Sequence, residues 1–209
     1  MGTGRGRKLK DLKKMKKIIF NDKYRLTRAV LEGRKTQTRR IAYTGNATII
    51  DCGICVEPKN IGRATLFRGI DEIAHSRYCI GKEVAVAQAY CELVSEAGYN
   101  EEEINKLRCS KGWKNKMYVK ADLMPHRIRI TDIRAERLQE ISNEDCLKEG
   151  LWMAHDVGLE GMTYWYHGLA NSSFRTPQDA YAALIDKISG KGTWASNPYV
   201  FVYEFELVK

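Results

Sequence analysis

The chain has 209 residues, 44% of them hydrophobic and 29% charged, which is an ordinary globular composition with length for a sizeable core and excludes a disordered or collagen-like chain. Its formal charge of +9 points to acidic partners. No apolar run approaches the roughly 20 residues that span a bilayer, so neither a transmembrane helix nor a secretory leader is expected, and the protein is read as cytoplasmic with no membrane partner. Six cysteines are too few and too scattered for a secreted disulfide scaffold, which leaves reduced thiols.

Residues 1–15 carry Arg5, Arg7, Lys8, Lys10, Lys13 and Lys14 with little to bury and read as a disordered basic tail. Lys16 to Phe20 reads as a first strand. Leu26, Ala29, Val30 and Leu31 then give a helix over 23–33, stopped by Gly33. Gly33-Arg34-Lys35-Thr36-Gln37-Thr38-Arg39-Arg40 turns that helix into a β-rich segment at Ile41. Threonines, a lysine and backbone N–H groups at such a corner can be presented to a ligand, and Arg34, Arg39 and Arg40 favour an acidic one. The plainer reading is a solvated basic turn.

From Thr44-Gly45-Asn46 the pattern weakens until Gly81, a first insertion over about 43–80. Cys52, Cys55, His75 and Cys79 fall within it and form a weak candidate zinc set. A single Cys-x-x-Cys lacking a second clear pair is usually incidental, and no metal is expected. Val84 to Tyr90 reads as a buried strand paired on both edges. A second insertion over about 92–114 follows, where Glu101-Glu102-Glu103 opens a short helix whose dipole suits acidic residues. Asn115 to Leu123 and His126 to Ile133 read as strands joined around Pro125. Ile128 and Ile130 face in, and Arg127 and Arg129 face out, either towards phosphates or simply towards water.

Ser142 caps a helix over 142–150. Glu149 lies at its C-terminal end, where a carboxylate opposes the helix dipole, a mild cost that invites a functional explanation or a nearby cation. Leu151 to Phe174 reads as a loop whose Trp152, Tyr164, Trp165 and Tyr166 either stack a base or pack over an open end of the fold. Thr176 and Pro177 start a helix over 177–189 with Tyr181, Leu184, Ile185 and Ile188 on its apolar face. Tyr199 to Val208 is the last strand, with Tyr199, Phe201, Tyr203, Phe205 and Leu207 on its core side.

Gly33-Arg34-Lys35-x-x-Thr38-x-Arg40 resembles the signature of the ASCH domain, a small β-barrel related to the PUA RNA-binding fold. Gly81-Lys82-Glu83 with Val84-Ala85-Val86-Ala87 resembles the family's turn into a barrel strand, Ile130 to Leu151 its strand and following helix, and Tyr199 to Val208 its closing strand. The blocks span most of residues 16–209 and are similar to the longer ASCH proteins of bacteriophages and prophages. The resemblance implies an α+β fold, a PUA-like mixed, mainly antiparallel β-barrel of about five or six strands. It further implies peripheral helices, one domain over 16–209 that holds both insertions, and RNA or a nucleoside as partner. Arg34, Arg39, Arg40, Arg127 and Arg129 are the candidate nucleic-acid contacts; oligomeric state is left open.

Some small bacterial ASCH proteins are amidohydrolases that remove the acetyl group from 4-acetylcytidine. Their motif lysine is the proton acceptor, the motif threonine the nucleophile and a later glutamate the proton donor. The resemblance carries these roles onto Lys35, Thr38 and Glu149. The residue types suit the roles, because a threonine hydroxyl needs a base and a desolvated lysine near other cations can be one, while a glutamic acid can protonate a leaving amine. Such a set uses no cofactor. Two other functions stay open, a non-catalytic RNA-binding module and a phage accessory protein that binds a host protein.

Overall fold

The computed structural model describes residues 15–44, 47–48, 54–56, 64–68, 72–94, 99–156, 161–169 and 173–208. β1 (Lys16–Ile18) leads through a 3-10 turn at Asp22–Tyr24 into α1 (Leu26–Leu31), and β2 (Gln37–Ile41) follows the corner. Gly33 closes α1 at φ +74°, a left-handed conformation that a residue with a Cβ adopts only at a cost. The turn sends the chain back along the helix it has just left: the Lys35 N–H donates to Ala29 O at 2.9 Å.

Segments that look patternless in the first insertion are strands. β3 (Tyr43–Thr44) pairs with β4 (Ala47–Thr48), and β5 (Ile54–Val56), β6 (Thr65–Arg68) and β7 (Glu72–His75) form an antiparallel sheet of three. Ala64, Leu66, Ala74 and Tyr78 bury their side chains in the main core. β8 (Glu83–Val86) is paired on both edges as expected, parallel to β1 and antiparallel to β9 (Arg127–Arg137). It ends four residues earlier than the expected Tyr90, because α2 (Tyr90–Leu93) begins there.

The second insertion holds α3 (Glu101–Arg108), capped by Asn100. The strand expected over Asn115 to Leu123 is instead a pair of 3-10 turns, Lys116–Tyr118 and Ala121–Leu123. Asn115 Oδ1 accepts the Met117 N–H at 2.9 Å, and Lys17 Nζ donates to Met117 O and Val119 O, both at 2.6 Å. Those bonds occupy groups that a strand would offer to a neighbour. Val119, Ala121 and Met124 join Ala85, Ala87, Tyr90 and Leu93 in a second, smaller core.

β9 keeps Ile128 and Ile130 buried and Arg127 and Arg129 on the opposite side, as its alternation predicts. Its pairing with β12 (Tyr199–Val208) then slips by one residue: Ile130 faces Phe205 and Asp132 faces Glu204, leaving Thr131 unpaired. This bulge shifts the phase, so Ile133 takes the core side and Arg134 and Glu136 share the other with Arg129. α4 (Asn143–Lys148) is capped by Ser142, whose Oγ accepts the Asp145 N–H at 3.1 Å. The expected loop after it contains an antiparallel hairpin, β10 (Trp152–Asp156) and β11 (Gly161–Trp165), with Trp152 opposite Trp165. α5 (Pro177–Ser189) starts at its Thr176 cap, and the short α6 (Thr193–Ser196) turns the chain into β12.

The main sheet runs β1-β8-β9-β12-β2, antiparallel except for β1 with β8. Among the described residues it does not close on itself, so β1 and β2 are edges and the architecture is a mixed α+β sheet with helices rather than a demonstrated barrel. β12 is buried on both faces, since Val200 and Val202 are as inaccessible as Phe201 and Tyr203; α4 packs against β2 and α5, and Tyr181, Leu184 and Ile185 of α5 line one cavity with Val200. No helix among the described residues is long and apolar enough to cross a membrane.

Candidate functional site

Three backbone bonds place the corner. Besides the Lys35 bond to Ala29, the Thr36 N–H donates to Lys148 O and Thr36 O accepts the Phe205 N–H, each at 2.9 Å. The corner is thus sewn to α1, to the end of α4 and to β12, and Lys35 and Glu149 become partners in an isolated antiparallel bridge. Gly150, φ +91°, makes the approach possible: a Cβ there would lie 3.2 Å from the Cβ atoms of both Ala29 and Lys35.

Lys35 is 2% exposed and Glu149 4%. Lys35 Nζ donates to Glu149 O at 2.9 Å and to Glu149 Oε2. Burial lowers the Lys35 pKa below its ordinary value; Glu149 opposes that shift, and the charges of Arg40 and Arg39 add to it. The expected cation beside Glu149 is therefore present twice, because Arg39 Nη1 also reaches Glu149 Oε1 at 3.2 Å.

Arg39 is the hub of a polar cluster under α4. Its fully buried side chain donates from Nε to Glu136 Oε1 at 2.8 Å, from Nη2 to Asp145 Oδ2 at 2.7 Å and from Nη1 to Gln37 Oε1 at 2.6 Å. Burial works against its charge, but Glu149 and Glu136 outweigh it and raise the Arg39 pKa above its usual value. Arg134 extends the cluster to Asp145, Glu136 and Glu204. Every guanidinium donor of Arg39 faces a partner inside the protein, so this arginine orders the site and presents nothing to a polyanion.

A cavity of about 650 Å3 runs along the open edge of β2, touching Thr38, Arg39, Arg40 and Ile41 in succession. Lys35 and Glu149 line it as well, so the structure brings together the three residues singled out as a hydrolytic set. Thr38 is 4% exposed, and its hydroxyl makes no hydrogen bond among the described residues. Lys35 spends its donors on Glu149 rather than on Thr38. Phe20, Leu26, Tyr181, Leu184 and Ile185 supply apolar wall. Arg40 donates to Ile19 O at 2.7 Å and lies 5.7 Å from the Phe20 ring centre, with no ion pair among the described residues. Lys116, in the first 3-10 turn after the second insertion, closes one rim through Asp22 Oδ2 at 2.6 Å and Thr27 Oγ1 at 3.1 Å.

The other candidates lie elsewhere. Arg34 pairs with Glu32 at 2.8 Å and stacks 3.9 Å over Trp152. Arg127 and Arg129 pair with Glu83, and Arg129 also with Glu206; neither lines the cavity. Of the zinc set, Cys52 and the Cys55 side chain lie outside the described residues, and the His75 ring pairs through Nδ1 with Thr65 Oγ1 at 3.0 Å. Cys79 is half-buried, and the described residues contain no group of three or more metal-ligating side chains. Tyr166 is packed in the core, not offered to a base. Sequence reasoning did not single out the Arg39 cluster or Tyr181; the one signal for the former was Gln37 and Arg39 alternating at the start of the β-rich segment.

Fold and site together define a mixed α+β protein with a polar, cation-lined cavity beside an edge strand. Compared with protein-family models, curated proteins and solved structures, the chain finds no match.

Proposed function

We propose that this chain is an ASCH-type, PUA-related amidohydrolase acting on an acylated cytidine such as 4-acetylcytidine. The observation that carries the reading is the buried Lys35–Glu149 hydrogen bond with the unengaged Thr38 hydroxyl in the same cavity. A volume of about 650 Å3 is within the range of small-ligand sites. Aromatic and aliphatic walls suit a pyrimidine, and Arg40 suits an electron-rich or anionic group.

Hydrolysis starts from the form of the Lys35–Glu149 pair that holds its proton on the carboxyl group and leaves a free amine on Lys35, a form that burial of the lysine brings within reach. Thr38 Oγ then adds to the acetyl carbon while its proton passes to Lys35. Collapse breaks the bond from that carbon to N4, and the leaving amine takes its proton from Glu149. Water next attacks the threonine ester: its proton goes to Glu149, the bond to Oγ breaks, Lys35 returns a proton to Thr38, and acetic acid leaves. The pair ends in its starting state, and no metal or organic cofactor is needed.

A second reading follows from the Lys35 ammonium being bonded to Glu149 and not to Thr38: a cavity that binds a nucleoside or an RNA base without turning it over. Acetate release from 4-acetylcytidine, followed alongside calorimetric binding of cytidine, separates the two. Turnover lost in Thr38→Ala and Glu149→Gln supports hydrolysis. Cytidine binding with wild-type release no greater than that of Thr38→Ala supports the binding module.

A further inference from the structure

Tyr181, Leu184, Ile185 and Ile188 recur at helical spacing on α5, and all four line the cavity. Three of them are hydrocarbon, whereas Tyr181 adds a hydroxyl. The residue is 2% exposed, and its ring is held edge-on to Trp194, with centres 6.2 Å apart at 78°. Its hydroxyl makes no hydrogen bond among the described residues. Buried tyrosine hydroxyls ordinarily find a partner, and one that lacks it inside a cavity is a donor awaiting a ligand.

Glu149 lines the same cavity. Burial and then the Glu149 charge push the Tyr181 pKa well above its usual value, so the group stays a neutral donor at working pH. Tyr166 feels the same two influences, but it does not line the cavity, and its hydroxyl has no hydrogen-bond partner among the described residues. Of the two phenols, Tyr181 is the one a ligand can reach.

We propose that Tyr181 is a substrate-binding residue whose hydroxyl donates a hydrogen bond to the acyl carbonyl oxygen, on the same side as the proton donor Glu149. The inference rests on the acyl-cytidine reading of the cavity. The scissile amide carries its oxygen and its nitrogen on one carbon, so a donor beside the group that protonates the nitrogen falls near the oxygen. As Thr38 Oγ adds, negative charge builds on that oxygen. A fixed neutral donor aimed at that oxygen then binds the transition state more strongly than the substrate. Arg39 is committed to internal partners and does not supply this bond.

Tyr181→Phe keeps the ring and its contact with Trp194 and removes one oxygen. Acetate release should fall about 10²–10³-fold in kcat with KM little changed. The affinity for free cytidine, which lacks the acyl group, and the melting temperature should both hold. Tyr166→Phe is the control, since it removes a buried hydroxyl outside the cavity, and it should keep the wild-type rate. Full activity in Tyr181→Phe, or an equal loss in both variants, overturns the assignment while leaving the hydrolase reading in place. Wild-type protein that releases no acetate overturns the hydrolase reading and this assignment with it.

Discussion

Lys35 and Glu149 meet twice, through the bridge of their backbones and through the ammonium that donates to both the carboxylate and the carbonyl of the glutamate. Both side chains are out of water, so removing one leaves the other short of a buried partner, although Glu149 keeps Arg39 and Lys35 keeps the Glu149 carbonyl. Lys35→Met should cost about 3–5 kcal/mol, and Lys35→Met with Glu149→Leu should cost less than the sum of the two single changes. Urea unfolding midpoints at neutral pH measure this. Strict additivity would show that the pair is not coupled. Lys35 is therefore a poor first choice for an activity knockout; Thr38→Ala disturbs the interior less.

The Lys35 pKa also predicts a pH dependence. Because burial lowers it, the unfolded chain keeps a proton on this lysine over a range where the folded chain has released it. Stability should rise with pH from the lowered folded value up to the ordinary 10.5. Glu149→Gln removes the charge that opposes the shift, so the Lys35 pKa should fall further and the rise should begin at lower pH. Side-chain NMR titration of Lys35 in both proteins follows this, and a shift towards higher pH in the variant would contradict it.

Asp145 behaves in the opposite sense. Burial works to raise its pKa, but the bond to Arg39 and the charges of Arg39, Arg134 and Lys148 prevail and lower it from 3.8. A depressed carboxylate contributes stability above its unfolded pKa and loses it as pH falls through the folded value. Asp145→Asn should be less stable than wild type at neutral pH, with the gap closing in acid. Thermal melts across the acid range test it; a gap that widens as pH falls rejects the assignment.

Gly150 is held at φ +91° against Ala29 and Lys35. Gly150→Ala adds a strained conformation costing about 1–3 kcal/mol and pushes α4 away from the corner. A lower melting temperature should accompany loss of ligand binding, whereas Gly33→Ala, whose added Cβ meets nothing within 4 Å, should pay mainly the conformational cost.

Arg127 and Arg129 already have Glu83 and Glu206 beside them. If the protein binds RNA, replacing both with alanine should leave the slope of log affinity against log salt within about one unit of wild type, whereas two true phosphate contacts would remove nearly two. Fluorescence anisotropy over a salt series decides it.

Local chemistry made the helices legible, because caps and stops act within a few residues: Gly33, Ser142 and the Thr176-Pro177 pair end or begin helices close to where the pattern puts them. Alternation likewise placed Ile128 and Ile130 inside. The 3-10 turns at 116–123 and the hairpin after Leu151 escaped this reading, since the Lys17 bonds and the β10–β11 ladder that fix them come from distant or facing chain. Motif and dipole arguments marked Lys35, Thr38 and Glu149 one by one. Only the tertiary structure decided that they share a cavity, that Arg39 is consumed by carboxylates while Arg40 is not, and that α5 brings an unbonded Tyr181 hydroxyl to the same wall. Those facts depend on which face of β2 each side chain takes and on what α4 and α5 lay over it, and such pairings across more than a hundred residues leave no periodic trace in the sequence.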